Sequence, residues 1–246
     1  MLLKCIFGSV GHFLFFGILA VLIIPGFIAY LIAKIFVKEP QYVFQKGATL
    51  SYRLFFMLIP NIVLKPDLLD DAPKNAIYIS THQSILDFPA LTTFIKEYII
   101  FANVNLDKFP LVAKISHLVG VRYIKGRTLN DVSEIHKEFE ELLNDGKNVI
   151  YFPEGSRHEG DKLLPFKRGA FKLSKKTSKP IIPIVIEGAS EILPKKSFCL
   201  KTIKKTPIQM KMLPALYPDD FQNEIEMMRY AQQIMQKEKD KLCNIS

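Results

Sequence analysis

Short apolar runs alternate with amphipathic stretches over most of the chain, and this alternation limits the folds that the chain can adopt. The runs are bounded by turn residues, as is typical of strands, whereas the stretches between them carry apolar residues at helical spacing. Strands that alternate with helices indicate an α/β fold with a mostly parallel central sheet flanked by helices. The predicted strands cover residues 77–80, 98–102, 121–124, 148–152 and 181–186, with 209–213 as a further candidate.

The stretches between these strands are predicted to be helices. The clearest is 131–143, where apolar residues recur at helical spacing and Gly146 follows as a stop signal. Ligands of such sheets gather at the carboxyl ends of the strands, so residues that directly follow a strand are the first candidates for a site. The predicted helices cover residues 84–94, 111–118, 131–143, 167–176 and 219–242.

A long uncharged segment precedes this alternating part. No Asp, Glu, Lys or Arg occurs in residues 5–33, and this length exceeds the ~20 residues that a helix needs to cross a bilayer. A cleaved signal peptide would have a shorter apolar region and a small-x-small site after it, but Lys34 and Lys38 follow here. We therefore expect a membrane anchor. Pro25 and Gly26 divide it, so it forms either one kinked spanning helix or a hairpin within one leaflet.

The charges beside this segment predict its orientation. Lys34, Lys38 and Lys46 follow it, whereas Lys4 alone precedes it. Because cytoplasmic flanks carry the excess of positive charge, we expect the chain in the inner, cytoplasmic membrane, with its following domain on the cytoplasmic side.

Residues 52–62 form a second apolar stretch, which either lies along the membrane surface or is a buried helix of the main domain. The sequence contains no internal repeat, low-complexity tract or long linker. We therefore divide it only once, into a membrane-anchoring helical segment, 1–65, and an α/β domain, 66–246.

The composition limits the possible partners. The formal net charge is +9, and a basic surface of this kind suits anionic lipid or an anionic substrate. No zinc-finger spacing and no RNP-like aromatic motif occurs, so a nucleic-acid partner is not expected. The three cysteines lie far apart and form no CxxC pair, which argues against a disulfide framework or a structural zinc site. No metal is predicted.

The first motif with recognisable chemistry begins at His82, directly after a predicted strand, and ends at Asp87. If His82 lies in the turn before the helix, its imidazole can fold back onto the Asp87 carboxylate. Asp87 would then fix the tautomer, and the other ring nitrogen could take a proton. A histidine titrates near neutral pH, so this pair predicts a general base. The alternative is a structural histidine next to an acidic helix start.

A second motif, Phe152-Pro153-Glu154-Gly155-Ser156-Arg157, follows another predicted strand. Glycine lets the backbone approach a ligand closely, and the arginine offers a planar set of donors that suits phosphate. A plain surface turn is the alternative. Gly-x-Ser-x-Gly does not occur, which argues against a serine-hydrolase nucleophile.

A basic block lies between the two motifs, at residues 120–127. Arg122, Lys125 and Arg127 surround a short predicted strand there, so the block could complete an anion site or form a solvated edge strand. A fourth block, Ile182-Pro183-Ile184, is predicted to be a buried strand.

Taken in order, these four blocks resemble the motif blocks of the glycerolipid acyltransferases. The resemblance is to the 1-acyl-sn-glycerol-3-phosphate (lysophosphatidic acid) acyltransferase family, and it covers roughly residues 75–188. It implies a membrane enzyme of phospholipid biosynthesis. Such an enzyme would transfer a fatty acyl chain from acyl-CoA or acyl carrier protein to the sn-2 hydroxyl of lysophosphatidate, forming phosphatidate, with no further cofactor.

The resemblance also assigns roles to individual residues. His82 would be the general base and Asp87 the residue that orients it, while Pro183 would belong to the acyl-donor or packing block. The residues assigned to binding the substrate, with Arg157 on the phosphate, are Arg122, Lys125, Arg127, Glu154, Gly155, Ser156 and Arg157.

Three positions depart from the family pattern. Ser156 stands where threonine is usual, which keeps the hydroxyl. The second block has Lys125 and Arg127 where one arginine directly after the isoleucine is usual, so either could be its cation. Asn103 stands where family members often carry lysine, which removes one expected phosphate contact. The acceptor could therefore be glycerol-3-phosphate or another lysolipid, and the rival class is a non-catalytic protein that binds anionic lipid.

Overall fold

The computed structural model describes residues 27–59, 61–70, 72–102, 110–123, 129–195, 200 and 205–245. Within these ranges, seven strands form one sheet in the order β1-β7-β6-β2-β5-β3-β4. The strands are β1 Ile62–Asp67, β2 Ile77–Ser80, β3 Tyr98–Ala102, β4 Val121–Tyr123, β5 Asn148–Tyr151, β6 Ile181–Glu187 and β7 Thr206–Met212.

Helices cover both faces of this sheet. Residues 27–36 are helical and are named α1. The other helices are α2 Gln41–Leu58, α3 Asp87–Thr92, α4 Pro110–Leu118, α5 Leu129–Asn144, α6 Gly169–Thr177, α7 Ala189–Ile192 and α8 Glu224–Ile245.

The central strands are buried on both faces, as is typical of parallel sheets. Ile77 and Ile79 of β2 belong to a core that also contains residues of α5, α6 and α8, whereas Tyr78 faces a core shared with α2, α3 and α7. β2 pairs in parallel with β5 and β6, and β3 pairs in parallel with β5 and β4. The predicted α/β class with a mostly parallel sheet flanked by helices is confirmed.

Two strands run in the opposite direction to the other five. β7 is antiparallel to β6, and β1 pairs in parallel with β7. β1 has no counterpart among the predicted strands because Lys65 and Pro66 interrupt its apolar pattern. Proline is tolerated here because β1 is an edge strand, where a missing N–H need not remove a ladder hydrogen bond. The predicted division between residues 65 and 66 lies within this strand, and the division itself stays a prediction.

α3 is shorter than the predicted helix over 84–94. It begins only at Asp87, because residues 83–86 form the turn whose backbone N–H groups point at the Asp87 carboxylate. α8 also begins later than predicted, since the Asn223 side chain accepts the N–H groups of Ile225 and Glu226 and caps the helix there.

Within the described ranges, no helix is both long enough and apolar enough to cross a membrane. Most of the predicted anchor, residues 5–33, lies outside these ranges, and only 27–33 are described, in α1. Residues 52–62 comprise the end of α2 and the start of β1. Tyr52, Phe55 and Phe56 are buried there, whereas Met57 and Leu58 are exposed, so this stretch is part of the main domain with one exposed edge.

Candidate active site

His82 lies two residues beyond the end of β2, at the carboxyl end of the central strand. Thr81 anchors this point to β6: its N–H donates to the Ile184 carbonyl at 3.3 Å, and its Oγ1 accepts the Ile186 N–H at 2.8 Å. His82 therefore emerges from the sheet at a position that two neighbouring strands hold, as the spacing after the strand predicts.

The Asp87 carboxylate holds His82 in one orientation. His82 Nδ1 lies 3.0 Å from Asp87 Oδ2, and Asp87 is fully buried. The same oxygen accepts the backbone N–H groups of Gln83 at 2.7 Å and Ser84 at 2.8 Å. A carboxylate at Nδ1 places the ring proton there, so Nε2 carries the lone pair. The predicted pair thus has the geometry of an oriented base.

The second motif packs directly against this pair. The Phe152 ring stacks on the His82 imidazole with centroids 3.9 Å apart and an angle of 12° between the planes. His82 donates its backbone N–H to Glu154 Oε1 at 3.2 Å, and the His158 N–H donates to the His82 carbonyl at 2.8 Å. The turn after β5 therefore forms one wall of the site around His82.

Glu154 joins three loops. One carboxylate oxygen accepts the His82 N–H, and the other accepts the Leu164 N–H at 2.9 Å. Burial raises the pKa of this carboxyl, and the two backbone donors oppose that shift. Sequence resemblance assigns Glu154 to the substrate, but here both of its oxygens face backbone groups of the protein. It stabilises the turns that carry the other site residues.

Lys167 lies over Gly155, a contact that the sequence does not predict. A Cβ built on Gly155, whose φ is +70°, would lie 2.4 Å from Lys167 Nζ. The Lys167 N–H also donates to the Pro153 carbonyl at 2.8 Å. The available signal is a cation shortly after the second motif, in Pro165-Phe166-Lys167-Arg168, which by pattern alone indicates only a charged helix start.

Cations of the site lack ion-pair partners among the described residues. Arg157 is half-buried and Lys167 is exposed, and neither side chain lies within ion-pair distance of a described carboxylate. The backbone carbonyl of Arg157 accepts a hydrogen bond from Lys195 Nζ at 2.8 Å. Ser156 of the same turn is exposed. A half-buried cation without a counter-ion suits an anionic group of a ligand.

Arg122 has a different environment. It lies on the edge strand β4, three strand positions from β2, which is about 14 Å at the usual strand spacing. Its Nε donates to Glu138 Oε1 at 2.6 Å, and it lines a cavity of about 410 Å³ with Lys114 and His117. The structure does not join Arg122 to the residues around His82. The other two predicted cations, Lys125 and Arg127, lie outside the described residues.

Comparison with known proteins assigns the family. Residues 65–187 match the family described as Acyltransferase, which is 123 of the 246 residues. The chain belongs to the acyltransferase family. His82, Asp87 and the turn after β5 all lie inside the matched range, and no described group of three His, Cys, Asp or Glu side chains is placed to hold a metal ion.

Relatives with similar sequences share one named activity. The chain is 31% identical over 129 residues to the chloroplastic 1-acyl-sn-glycerol-3-phosphate acyltransferase BAT2 of Brassica napus, covering 51% of this chain and 38% of that protein. It is 32% identical over 130 residues to the beta form from Homo sapiens, covering 52% and 46%. The chain spans less than half the length of these relatives.

A solved structure has the same fold. The crystal structure of the 1-acyl-sn-glycerophosphate acyltransferase PlsC from Thermotoga maritima matches with a TM-score of 0.76 over 97% of each chain. At 21% sequence identity, this match establishes the architecture of the acyltransferase domain.

Proposed function

We propose that the chain transfers a fatty acyl group from acyl-CoA or acyl carrier protein to the sn-2 hydroxyl of 1-acyl-glycerol-3-phosphate. The observation that carries this proposal is the His82–Asp87 pair. Buried Asp87 occupies Nδ1, which leaves Nε2 as the acceptor of a proton at the carboxyl end of the central strand. The relatives named as 1-acyl-sn-glycerol-3-phosphate acyltransferases support this choice of acceptor.

The reaction needs one base and no protein nucleophile, because a thioester is already activated. His82 Nε2 takes the proton of the acceptor hydroxyl as that oxygen attacks the thioester carbonyl. The C–S bond of the tetrahedral intermediate then breaks, the leaving thiolate takes the proton from the imidazolium to become the free thiol, and an ester remains. General-base catalysis of this kind supplies on the order of 10²- to 10⁴-fold in rate. Positioning of the two substrates supplies much of the rest.

The cations beside the pair suit the phosphate of the acceptor. Arg157 extends from the turn that stacks on His82, and Lys167 lies over Gly155 in the same turn. A phosphate held there would keep the glycerol hydroxyl close to His82. Lys125 and Arg127 stay proposed contributors from the second block.

A second candidate is the same reaction on another acceptor, such as glycerol-3-phosphate or an uncharged lysolipid. Two observations leave fewer cations for a phosphate and therefore favour the uncharged lysolipid among these acceptors. Asn103 replaces a lysine that is usual in the family, and Arg122 is paired with Glu138 at the sheet edge.

We also propose that the domain works at the cytoplasmic face of the inner membrane. The apolar segment before Lys34 supports this placement. Support also comes from α1, which exposes several large apolar side chains that a lipid surface would cover. These are Ile28, Leu31, Ile32, Ile35 and Phe36.

An acceptor panel tests the proposed function. The purified full chain in detergent would receive acyl-CoA or acyl carrier protein thioester together with one acceptor, and the released thiol would be measured. We expect the fastest release with 1-acyl-glycerol-3-phosphate and loss of release in His82→Ala, with that variant folded as judged by circular dichroism. Undiminished thiol release in His82→Ala would contradict the role of His82, and faster release with an uncharged lysolipid would contradict the acceptor.

A further inference from the structure

A buried ion pair joins the last helix to the end of β6. Lys239 of α8 and Glu187 are 3% and 8% exposed, and Lys239 Nζ forms a salt bridge with Glu187 Oε1. Removing two charges from water is costly, and apolar side chains of similar volume often stabilise a protein as well or better. Stability alone therefore does not account for an ion pair at this buried position.

Lys239 also interrupts an apolar stripe. Met227, Ala231 and Met235 recur every four residues on α8, and each is fully buried against the core beneath the sheet. Lys239 occupies the next position of the same stripe, where the helical pattern calls for another apolar side chain. Its ammonium group meets Glu187 at that point.

Glu187 carries this contact to the loop between His82 and Asp87. Gln83 Nε2 donates to both carboxylate oxygens of Glu187, at 2.9 and 3.0 Å, and Gln83 is 4% exposed. The backbone N–H of Gln83 donates to Asp87 Oδ2, the oxygen that holds His82 Nδ1. Gln83 thus connects the Glu187–Lys239 ion pair, through its side chain, to the His82–Asp87 pair, through its backbone.

We propose that Lys239 is a positioning residue for His82, acting through Glu187 and Gln83. Lys239 pairs with the buried Glu187, and the Glu187 carboxylate holds the Gln83 side chain with both oxygens. This fixes the backbone of Gln83 so that its N–H points at Asp87, which in turn orients the imidazole. The inference rests on the proposed function of His82 as the base.

A single and a double substitution at the ion pair separate its effect on positioning from its effect on folding. Lys239→Met leaves a buried carboxylate unpaired, so we expect it to unfold at a lower denaturant concentration than the wild type. The double variant Glu187→Gln/Lys239→Met has no unpaired buried charge and should regain most of that stability. The amide that replaces the Glu187 carboxylate offers one acceptor oxygen instead of two. We therefore expect the loop that contains Gln83 to be held less firmly in the double variant than in the wild type.

Steady-state kinetics and NMR spectroscopy then test the proposal on the full chain. For the double variant we expect kcat to fall by about tenfold to hundredfold, with both KM values within about twofold of wild type, because misplacement of the base affects mainly the chemical step. Lys239→Arg keeps a cation beside Glu187, so we expect it to retain the wild-type kcat. The matched control is Lys241→Met on the same helix, where the lysine is exposed and pairs with Glu238; its kcat should equal that of the wild type.

The ¹⁵N NMR signals of the His82 ring give a readout that needs no substrate. A loosened contact with Asp87 no longer fixes the ring proton on Nδ1, so the chemical shifts of the two ring nitrogens should lie closer together in the double variant than in the wild type. Asp87, Glu154 and His158, the other titratable groups against His82, are kept in every variant.

Kinetics and NMR spectroscopy distinguish the failure of this proposal from the failure of the proposed function. A double variant that regains stability and also keeps either the wild-type kcat or the wild-type ¹⁵N shifts of the His82 ring would overturn the positioning role. A wild-type chain that consumes no thioester with any acceptor would overturn the proposed function, and the ¹⁵N shifts alone would then decide whether Lys239 orients the imidazole.

Discussion

At the scale of single residues, the partners of each ring nitrogen and each carboxylate oxygen decide what His82 can do. Nδ1 is occupied by Asp87, and the Phe152 ring covers one face of the imidazole. Glu154 accepts the backbone N–H of His82 and so holds its backbone in place. The cations Arg157 and Lys167 remain without described counter-ions, and they carry the first prediction.

Lys167→Met should weaken binding of a phosphate-bearing acceptor. Loss of one cation from a phosphate site should raise the KM for lysophosphatidate by about tenfold to hundredfold, since a charged hydrogen bond contributes about 1.5–3 kcal/mol. The KM for the acyl donor should change little. Lys162→Met, on the exposed part of the same loop, is the control with wild-type kinetics. An equal rise in KM for an uncharged lysolipid would show that Lys167 does not bind the phosphate.

At the scale of elements, the ends of strands and the turns that follow them position the residues around His82. His82 follows β2, the Glu154–Arg157 turn follows β5, and Glu187 ends β6. These three strands are neighbours and run in parallel, so their carboxyl ends meet at one edge of the sheet. The turn after β6 is also the place where the parallel part of the sheet meets antiparallel β7.

Gly188 marks that turn and should not tolerate a side chain. Its φ is +88°, and a Cβ there would lie 2.1 Å from the Pro207 carbonyl oxygen of β7. Gly146 has a similar φ of +85° with nothing within 4 Å, so it isolates the effect of conformation alone. In urea denaturation we expect Gly146→Ala to lower the free energy of unfolding by about 1–2 kcal/mol and Gly188→Ala by about 4 kcal/mol or more. Equal losses would contradict a clash with β7.

At the scale of the whole molecule, the exposed apolar surface is concentrated near the start of the described chain. Ile35 and Phe36 are 75% and 80% exposed, and Lys34 and Lys38 flank them. Apolar side chains among cations are typical of a surface that meets anionic lipid. Such a surface would hold the domain at a membrane, where the proposed lipid acceptor would be found.

A double substitution on α1 tests this surface. Ile35→Ser/Phe36→Ser should lower the fraction of protein that sediments with vesicles of anionic phospholipid. Burial of apolar area contributes about 25 cal/mol per Å², so the loss of two large side chains should reduce the partition coefficient by at least about tenfold. Tyr217→Ser, an exposed aromatic residue far along the chain, should bind as the wild type does. Unchanged binding of the double variant would exclude this part of α1 from the membrane contact.

Local periodicity explains how much of this fold could be predicted. The strands at 77–80 and 98–102 agree with β2 and β3 because short apolar runs between turns have few alternatives. β1 could not be predicted because Pro66 and Lys65 break its pattern, and only pairing with β7 makes it a strand. His82 and Asp87 were predictable as a pair, because they are five residues apart on either side of a strand-to-helix turn.

The sequence by itself therefore determined the alternating α/β layers, the place of His82 after a strand and the blocks that resemble the acyltransferases, whereas the sheet order that makes this strand central comes from the structure. Only the tertiary structure decided which polar groups meet. It put both Glu154 oxygens on backbone N–H groups, paired Arg122 with Glu138, laid Lys167 over Gly155 and joined Lys239 to Gln83 through Glu187. The reason is physical: periodicity is a local property of the chain, whereas a polar contact between distant residues depends on which surfaces are buried together.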